Sequence, residues 1–293
     1  MNRRAGLKKR VRTRRLTERF SRILALIALL SILAIVFLIT HVLVTYQQSR
    51  KTYLSVANRV VSTQVAISQA QPSPNTEDAH SSFEREYQPV MDSDIENKPI
   101  ETVPITVDWV NLRATNQQIV AWLYCEGTRI NHPVLQGKDN TYYLTHDLFK
   151  KADQAGGLLL DNRNQLGYTL QNLIIYGHRM KDGSMFGELA KFADKSYCDG
   201  HASFYLLTPD QNYRMDTISC RTVHGESKYF PTSFTDMDAE HRYILKARSQ
   251  SYWQELPQKK QDGAILITLA TCSKYDFSDS PRLILHGWAI PID

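Results

Sequence analysis

Cys272 ends the apolar, β-branched run Ala264-Ile265-Leu266-Ile267-Thr268-Leu269-Ala270-Thr271-Cys272, and a polar stretch, residues 273–281, follows it. A second strand-like run opens at Arg282, ten residues after the cysteine. A thiol attacks as its thiolate, which a strand-mouth position and a nearby cation both favour. Arg282 stays charged at neutral pH and cannot act as a base. If the two strands pair, its guanidinium lies near the sulfur, where it can bind a developing oxyanion.

A base is still needed. His178 closes Asn172-Leu173-Ile174-Ile175-Tyr176-Gly177-His178, so a rigid strand and a glycine aim it at another strand end. His41 lies in a long apolar run and His80 in a proline-rich stretch, which sets both aside. Spacing alone leaves His132, His146, His201, His224, His241 and His286 open beside His178. Cys125, Cys198 and Cys220 show no C-x-x-C or clustered Cys/His pattern, so they read as small hydrophobes in or near a core.

The elements that position these groups read as mostly β. Strand signals recur over 129–135, 157–160, 173–176, 204–207, 213–223, 265–271 and 283–290. Helical spacing is expected over 107–123, through Val110, Leu112, Ile119 and Trp122, and again over 185–193 and 236–253. Many short strands with few helices argue a barrel or sandwich with helical insertions.

Ahead of this unit stands a different kind of sequence. Residues 1–22 hold ten Lys/Arg and one acid, so the chain's net charge of +5 leaves 25 bases against 29 acids, or −4, for the rest. The basicity belongs to a tail, and the body loses its main support as a nucleic-acid binder. Residues 23–44 carry no charged side chain, with only Ser31, Thr40 and His41 interrupting the apolar run. As a helix they span about 33 Å, enough for a bilayer core, and the preceding Lys/Arg cluster places the N-terminus inside. The run exceeds a signal-peptide core and lacks a small-x-small site after it. The expected order is a cytoplasmic tail (1–22), a membrane anchor (23–45), an extracellular stalk and spacer with Pro72, Pro74, Pro89, Pro99 and Pro104 (46–104), and a catalytic domain (105–293).

Thr268-Leu269-Ala270-Thr271-Cys272 with Arg282 resembles the T-L-x-T-C…R signature of the sortases. The segment ending Tyr176-Gly177-His178-Arg179-Met180, with Gly183-Ser184-Met185-Phe186 after it, resembles the catalytic-histidine segment of class B sortases. Val120-Ala121-Trp122-Leu123, Gly127-Thr128-Arg129-Ile130-Asn131-His132-Pro133-Val134 and Gln136-Gly137-Lys138-Asp139-Asn140-Thr141-Tyr142-Tyr143-Leu144 agree with that class. The resemblance covers about 105–293 in the expected order.

It implies an eight-stranded sortase β-barrel with class B helical additions and a catalytic set of His178, Cys272 and Arg282. It also implies a substrate groove lined by Asn140, Leu144, Tyr176 and Thr271, with residues 236–253 shaping it. Ala270 stands where class B enzymes often have serine. The implied activity is a Gram-positive cysteine transpeptidase that cleaves a sorting signal after Thr and needs neither metal nor cofactor. Its implied partners are surface proteins or pilins, with the amine of a peptidoglycan precursor (lipid II) or a pilin lysine as acceptor. A cysteine endopeptidase releasing the acyl-enzyme to water, and a non-catalytic surface binding module, are the rival readings.

Overall fold

In the computed structural model the described residues are 2–63, 103–166, 172–201, 203–223, 230–254, 260–272 and 281–292, with side chains from Phe20 onward except that of Cys272. Most of the expected polar stretch 273–281, His224 and the proline-rich spacer up to residue 102 lie outside them.

The chain opens with one long helix, α1 (Asn2–Val60). Over 23–44 its large apolar side chains are exposed along the whole run. The hydroxyls inside it bond back along the helix, Ser31 Oγ to Ile27 O at 2.8 Å and Thr40 Oγ1 to Val36 O at 3.0 Å. The two hydroxyls within the run are therefore satisfied inside the helix. This helix is long and apolar enough to cross a membrane.

Further along, the same helix changes surroundings. Ser49, Tyr53, Val56, Ala57 and Val60 recur at helical spacing and are buried. They pack on the barrel, so residues 49–60 form part of the folded unit, which thus extends N-terminal to residue 105 rather than beginning there. The short strand β1 (Val61–Thr63) pairs antiparallel with β2 (Ile105–Val107).

Helix α2 (Trp109–Thr115) is capped by Asp108, whose side chain accepts from Asn111 N. The helix expected over 107–123 stops there, and its second half is strand β3 (Ile119–Tyr124). Asn116 turns the chain out with extended dihedrals. Its buried amide donates to Tyr143 Oη at 2.9 Å and to Leu148 O at 2.8 Å. These distant contacts override the local helical spacing.

The remaining strands are β4 (Asn131–Leu135), β5 (Leu158–Leu160), β6 (Asn172–His178), β7 (Ser203–Leu207), β8 (Asn212–Val223), β9 (Ile265–Cys272) and β10 (Arg282–Ile292). With β3 they close an eight-stranded barrel in the order β10-β8-β7-β3-β4-β5-β6-β9. Closure leaves the barrel without unpaired edges. Two pairings are parallel, β4 with β5 and β6 with β9.

Helical additions sit between strands. A 3₁₀ turn covers Tyr142–Leu144, and a second, Gly187–Ala193, forms where a helix over 185–193 is expected. Helix α3 (Lys195–Gly200) follows it. Helix α4 (Met237–Ser249) begins at its Asp236 cap, whose side chain accepts from Ala239 N, within the helical segment expected over 236–253.

Candidate active site

Three neighbouring strands, β6, β9 and β10, end or begin at the same mouth of the barrel. In the parallel β6–β9 ladder His178 is the Cα partner of Cys272. In the antiparallel β9–β10 ladder Ile284 faces Ala270. That register ends there, and Arg282, two residues further out, opens β10 and pairs with Val223 of β8. His178 and Cys272 thus occupy one row and share a face of the sheet, and Arg282 opens the adjacent strand at the same mouth.

The local sequence explains why the row is sharply defined. Gly177 precedes His178 because a Cβ there would lie 2.4 Å from Leu158 Cδ2 and 2.8 Å from the Phe186 ring. That close packing lets Phe186 N donate to His178 O at 3.0 Å, fixing the strand end. On the other flank Thr271 is buried and its Oγ1 accepts from Leu283 N at 2.9 Å. The hydroxyl holds β10 to β9 one residue inside the row.

His178 is 4 % exposed and its Nε2 lies 2.7 Å from Leu144 O. A carbonyl can only accept, so Nε2 carries the proton in this bond. Nδ1 is then the nitrogen that can exchange a proton while the bond persists. Arg282 is also buried, at 6 % exposure.

The expected groove residues separate into two groups. Leu144, half-buried, contributes the carbonyl to His178 and closes its 3₁₀ turn. Tyr176 and Asn140 gather at Asp161, which the sequence reading does not single out. Tyr176 Oη donates to Asp161 Oδ2 at 3.1 Å, and Asn140 Oδ1 accepts from Asn162 N at 2.8 Å. Arg163 grips the same carboxylate through Nε at 2.9 Å and Nη2 at 2.8 Å. Burial pushes the Asp161 carboxyl upward, but the Arg163 hydrogen bonds and charge and the Asn140 side chain outweigh it and hold it below its usual range. The signal was an acid and a base two apart immediately after the apolar run ending at Leu160.

The other histidines are occupied differently. His286 is buried between Ser219 Oγ at 2.9 Å and Tyr243 Oη at 3.1 Å, and burial, with Arg221 nearby, lowers its pKa to about 3. Burial lowers His132 to about 4. His146 and His201 stack on Tyr142 and Tyr197, and His241 is exposed on α4. Among the described histidines, His178 is the one paired with Cys272.

Cys125, Cys198 and Cys220 are buried, and burial pushes the thiols of Cys125 and Cys220 up to about 12, which keeps them neutral. Among the described residues no group of three or more His, Cys, Asp or Glu is placed to hold a metal ion.

A scan against protein-family models finds no match. Sortase B of Listeria monocytogenes is 33 % identical over 178 residues, which covers 60 % of this chain and 72 % of that protein. Sortase B from B. anthracis in complex with AAEK1 superposes with a TM-score of 0.62 at 26 % identity, covering 85 % of this chain and 99 % of that one. A Staphylococcus aureus sortase B–substrate complex gives a TM-score of 0.59 at 25 % identity, covering 63 % of this chain and 85 % of that one. With the closed barrel and this breadth of agreement, the chain belongs to the sortase B family of cysteine transpeptidases.

Proposed function

We propose that this sortase cleaves a C-terminal sorting signal after its Thr and joins the released carboxyl to an amine at the outer face of a Gram-positive membrane. The observation that carries the reading is the pairing of His178 with Cys272 across β6 and β9, with Arg282 opening the neighbouring strand β10. The Cys272 thiolate attacks the scissile carbonyl carbon, and Arg282 stabilises the oxyanion of the tetrahedral intermediate. His178, as imidazolium, gives a proton to the departing amine nitrogen, and the C–N bond breaks to leave a thioester on Cys272. An incoming amine then attacks the thioester, His178 takes its proton, and the C–S bond breaks. The Leu144 carbonyl suits both stages, because it holds Nε2–H while Nδ1 gains or loses the travelling proton.

The groove reading supports Asn140, Leu144, Tyr176 and Thr271 near the signal peptide. Thr271 acts from beneath, through its hold on β10, and Tyr176 and Asn140 act as a wall stiffened by Asp161. The likeness to a sortase B solved with substrate supports a peptide-shaped site. The basic tail and apolar run of α1 support an inside N-terminus and an outside barrel. Lipid II is the favoured amine donor for anchoring to the wall, with a pilin lysine as the alternative acceptor.

The test is intact-mass spectrometry of the full chain with a library of sorting-signal peptides, followed by triglycine. A thioester adduct on Cys272 that triglycine converts to ligated peptide is the expected result. Product formed only by hydrolysis, at a rate the amine does not change, returns the endopeptidase reading. Turnover surviving in Cys272→Ala overturns the assignment of the nucleophile.

A further inference from the structure

The helix that carries the apolar run also reaches the turn that backs the carbonyl partner of His178. Tyr53, on the buried stripe of α1, is 3 % exposed, and its hydroxyl donates to Gly156 O at 2.6 Å. Burial, reinforced by the Asp153 and Asp147 charges, raises its pKa well above the ordinary value and keeps the phenol protonated as a donor. One turn earlier, Ser49 Oγ donates to Asp153 Oδ1 at 2.6 Å. The turn 153–157 is therefore clasped by α1 at two points.

The opposite side of that turn faces the histidine's acceptor. Gly157 N donates to Tyr143 O at 2.8 Å, and Asp153 N donates to Thr145 O at 2.8 Å. Gly156, at φ +58°, backs onto the intervening carbonyl so closely that a Cβ there would lie 2.7 Å from Leu144 O. Leu144 O accepts from His178 Nε2 at 2.7 Å. The contacts run without a gap from the α1 side chain, through the 153–157 turn and the 142–144 turn, to the imidazole.

We propose that Tyr53 is a positioning residue for His178, setting through Gly156 the place of the Leu144 carbonyl that orients the ring. The helix of the apolar run is thus part of the apparatus that aligns the acid–base group. The inference rests on reading His178 as that group.

The full chain in detergent micelles supplies the test, using a peptide that acylates Cys272 and triglycine as acceptor. Tyr53→Phe removes one oxygen and keeps the ring. It is expected to lower kcat about tenfold, as a small misplacement of a reacting group does, with KM changed less than about twofold. In ¹⁵N-histidine-labelled protein the His178 Nε2 resonance moves, because its hydrogen bond to the carbonyl lengthens. Gly156→Ala, pressing on the carbonyl from behind, is expected to move the same resonance.

Unchanged kcat with an unmoved resonance in Tyr53→Phe overturns the proposal. So does a kcat loss no larger than the loss of folded protein measured by thermal unfolding. His178→Gln separates this idea from its premise: full turnover in that variant overturns the acid–base reading, and the resonance in Tyr53→Phe then decides the positioning alone.

Discussion

Two histidines of the same sheet show what burial does and does not decide. His178 stands in the mouth row with Cys272, and His286 pairs with Thr268 four residues deeper along β9. Both are buried, at 4 % and 0 % exposure. His286 has a hydroxyl on each ring nitrogen and is held neutral, its pKa lowered to about 3. His178 has a carbonyl on Nε2, an acceptor that favours a protonated nitrogen there. Burial is shared, so the difference lies in the partner and in the depth along the strand. A hydroxyl adapts to a neutral ring, whereas a carbonyl at a strand mouth suits one that cycles its proton.

The largest expected contrast is in turnover. His178→Ala is expected to lower kcat by about 10³-fold or more with the barrel intact, as removal of a general acid–base or nucleophile partner does. His286→Leu is expected to keep turnover per folded molecule within about twofold while losing roughly 1–3 kcal/mol of stability for its stranded hydroxyl partners. Steady-state kinetics with urea denaturation of each variant checks both halves. Equal kinetic losses would erase the distinction between the two sites.

Arg282→Ala comes next, with an expected fall of about 10²-fold in kcat from loss of oxyanion stabilisation. If Arg282→Lys restores little, the planar fork matters and not only the charge.

The smallest effect is in the pH dependence of stability, and it reads the buried histidines directly. Folded pKa values near 3 for His286 and 4 for His132 lie below the unfolded value near 6.5. Between those limits the unfolded chain binds more protons, so stability is complete above the unfolded pKa and falls as pH drops through it, by at most about 1.4 kcal/mol per pH unit for each histidine. Urea midpoints measured from pH 7 to 5 are expected to fall for the wild type and to fall less steeply for His286→Leu. Parallel slopes would mean that His286 is not held neutral.

How far the sequence could be read follows the same divide between local and distant causes. The strands stood out because β-branched runs such as Ile265-Leu266-Ile267-Thr268 suit a doubly covered barrel wall. At the barrel mouth Cys272 and Arg282 could be read as a pair because they flank one polar stretch, whereas spacing left His178 among several histidines and only the sortase resemblance singled it out. The helix expected over 107–123 failed because Ile119 and Trp122 fit helical spacing as well as a strand, and Asn116's distant partners Tyr143 and Leu148 settled the matter. The Leu144 acceptor had no signature at all, because any residue offers a carbonyl. Asp161 was a common acid until Tyr176 and Arg163 converged on it. The buried stripe of α1 was hidden by Ser49, a polar residue on the packed face.

That stripe bears on how the enzyme meets its acceptor. The α1 helix runs unbroken from the apolar residues ending at Val44 to the docked residues Ser49–Val60, beginning about 8 Å beyond the last apolar residue at 1.5 Å per residue. With the apolar run in a bilayer as proposed, the barrel is bolted to its anchor and not free on a leash. It gives up the wide search volume of a flexible tether, and its mouth stays at one altitude above the lipid. An acceptor amine carried on a lipid would be met at high local concentration only if its stem reaches that altitude. Stem length would then rank acceptors independently of their chemistry, and inserting a flexible segment after Val44 should flatten the ranking in a vesicle assay.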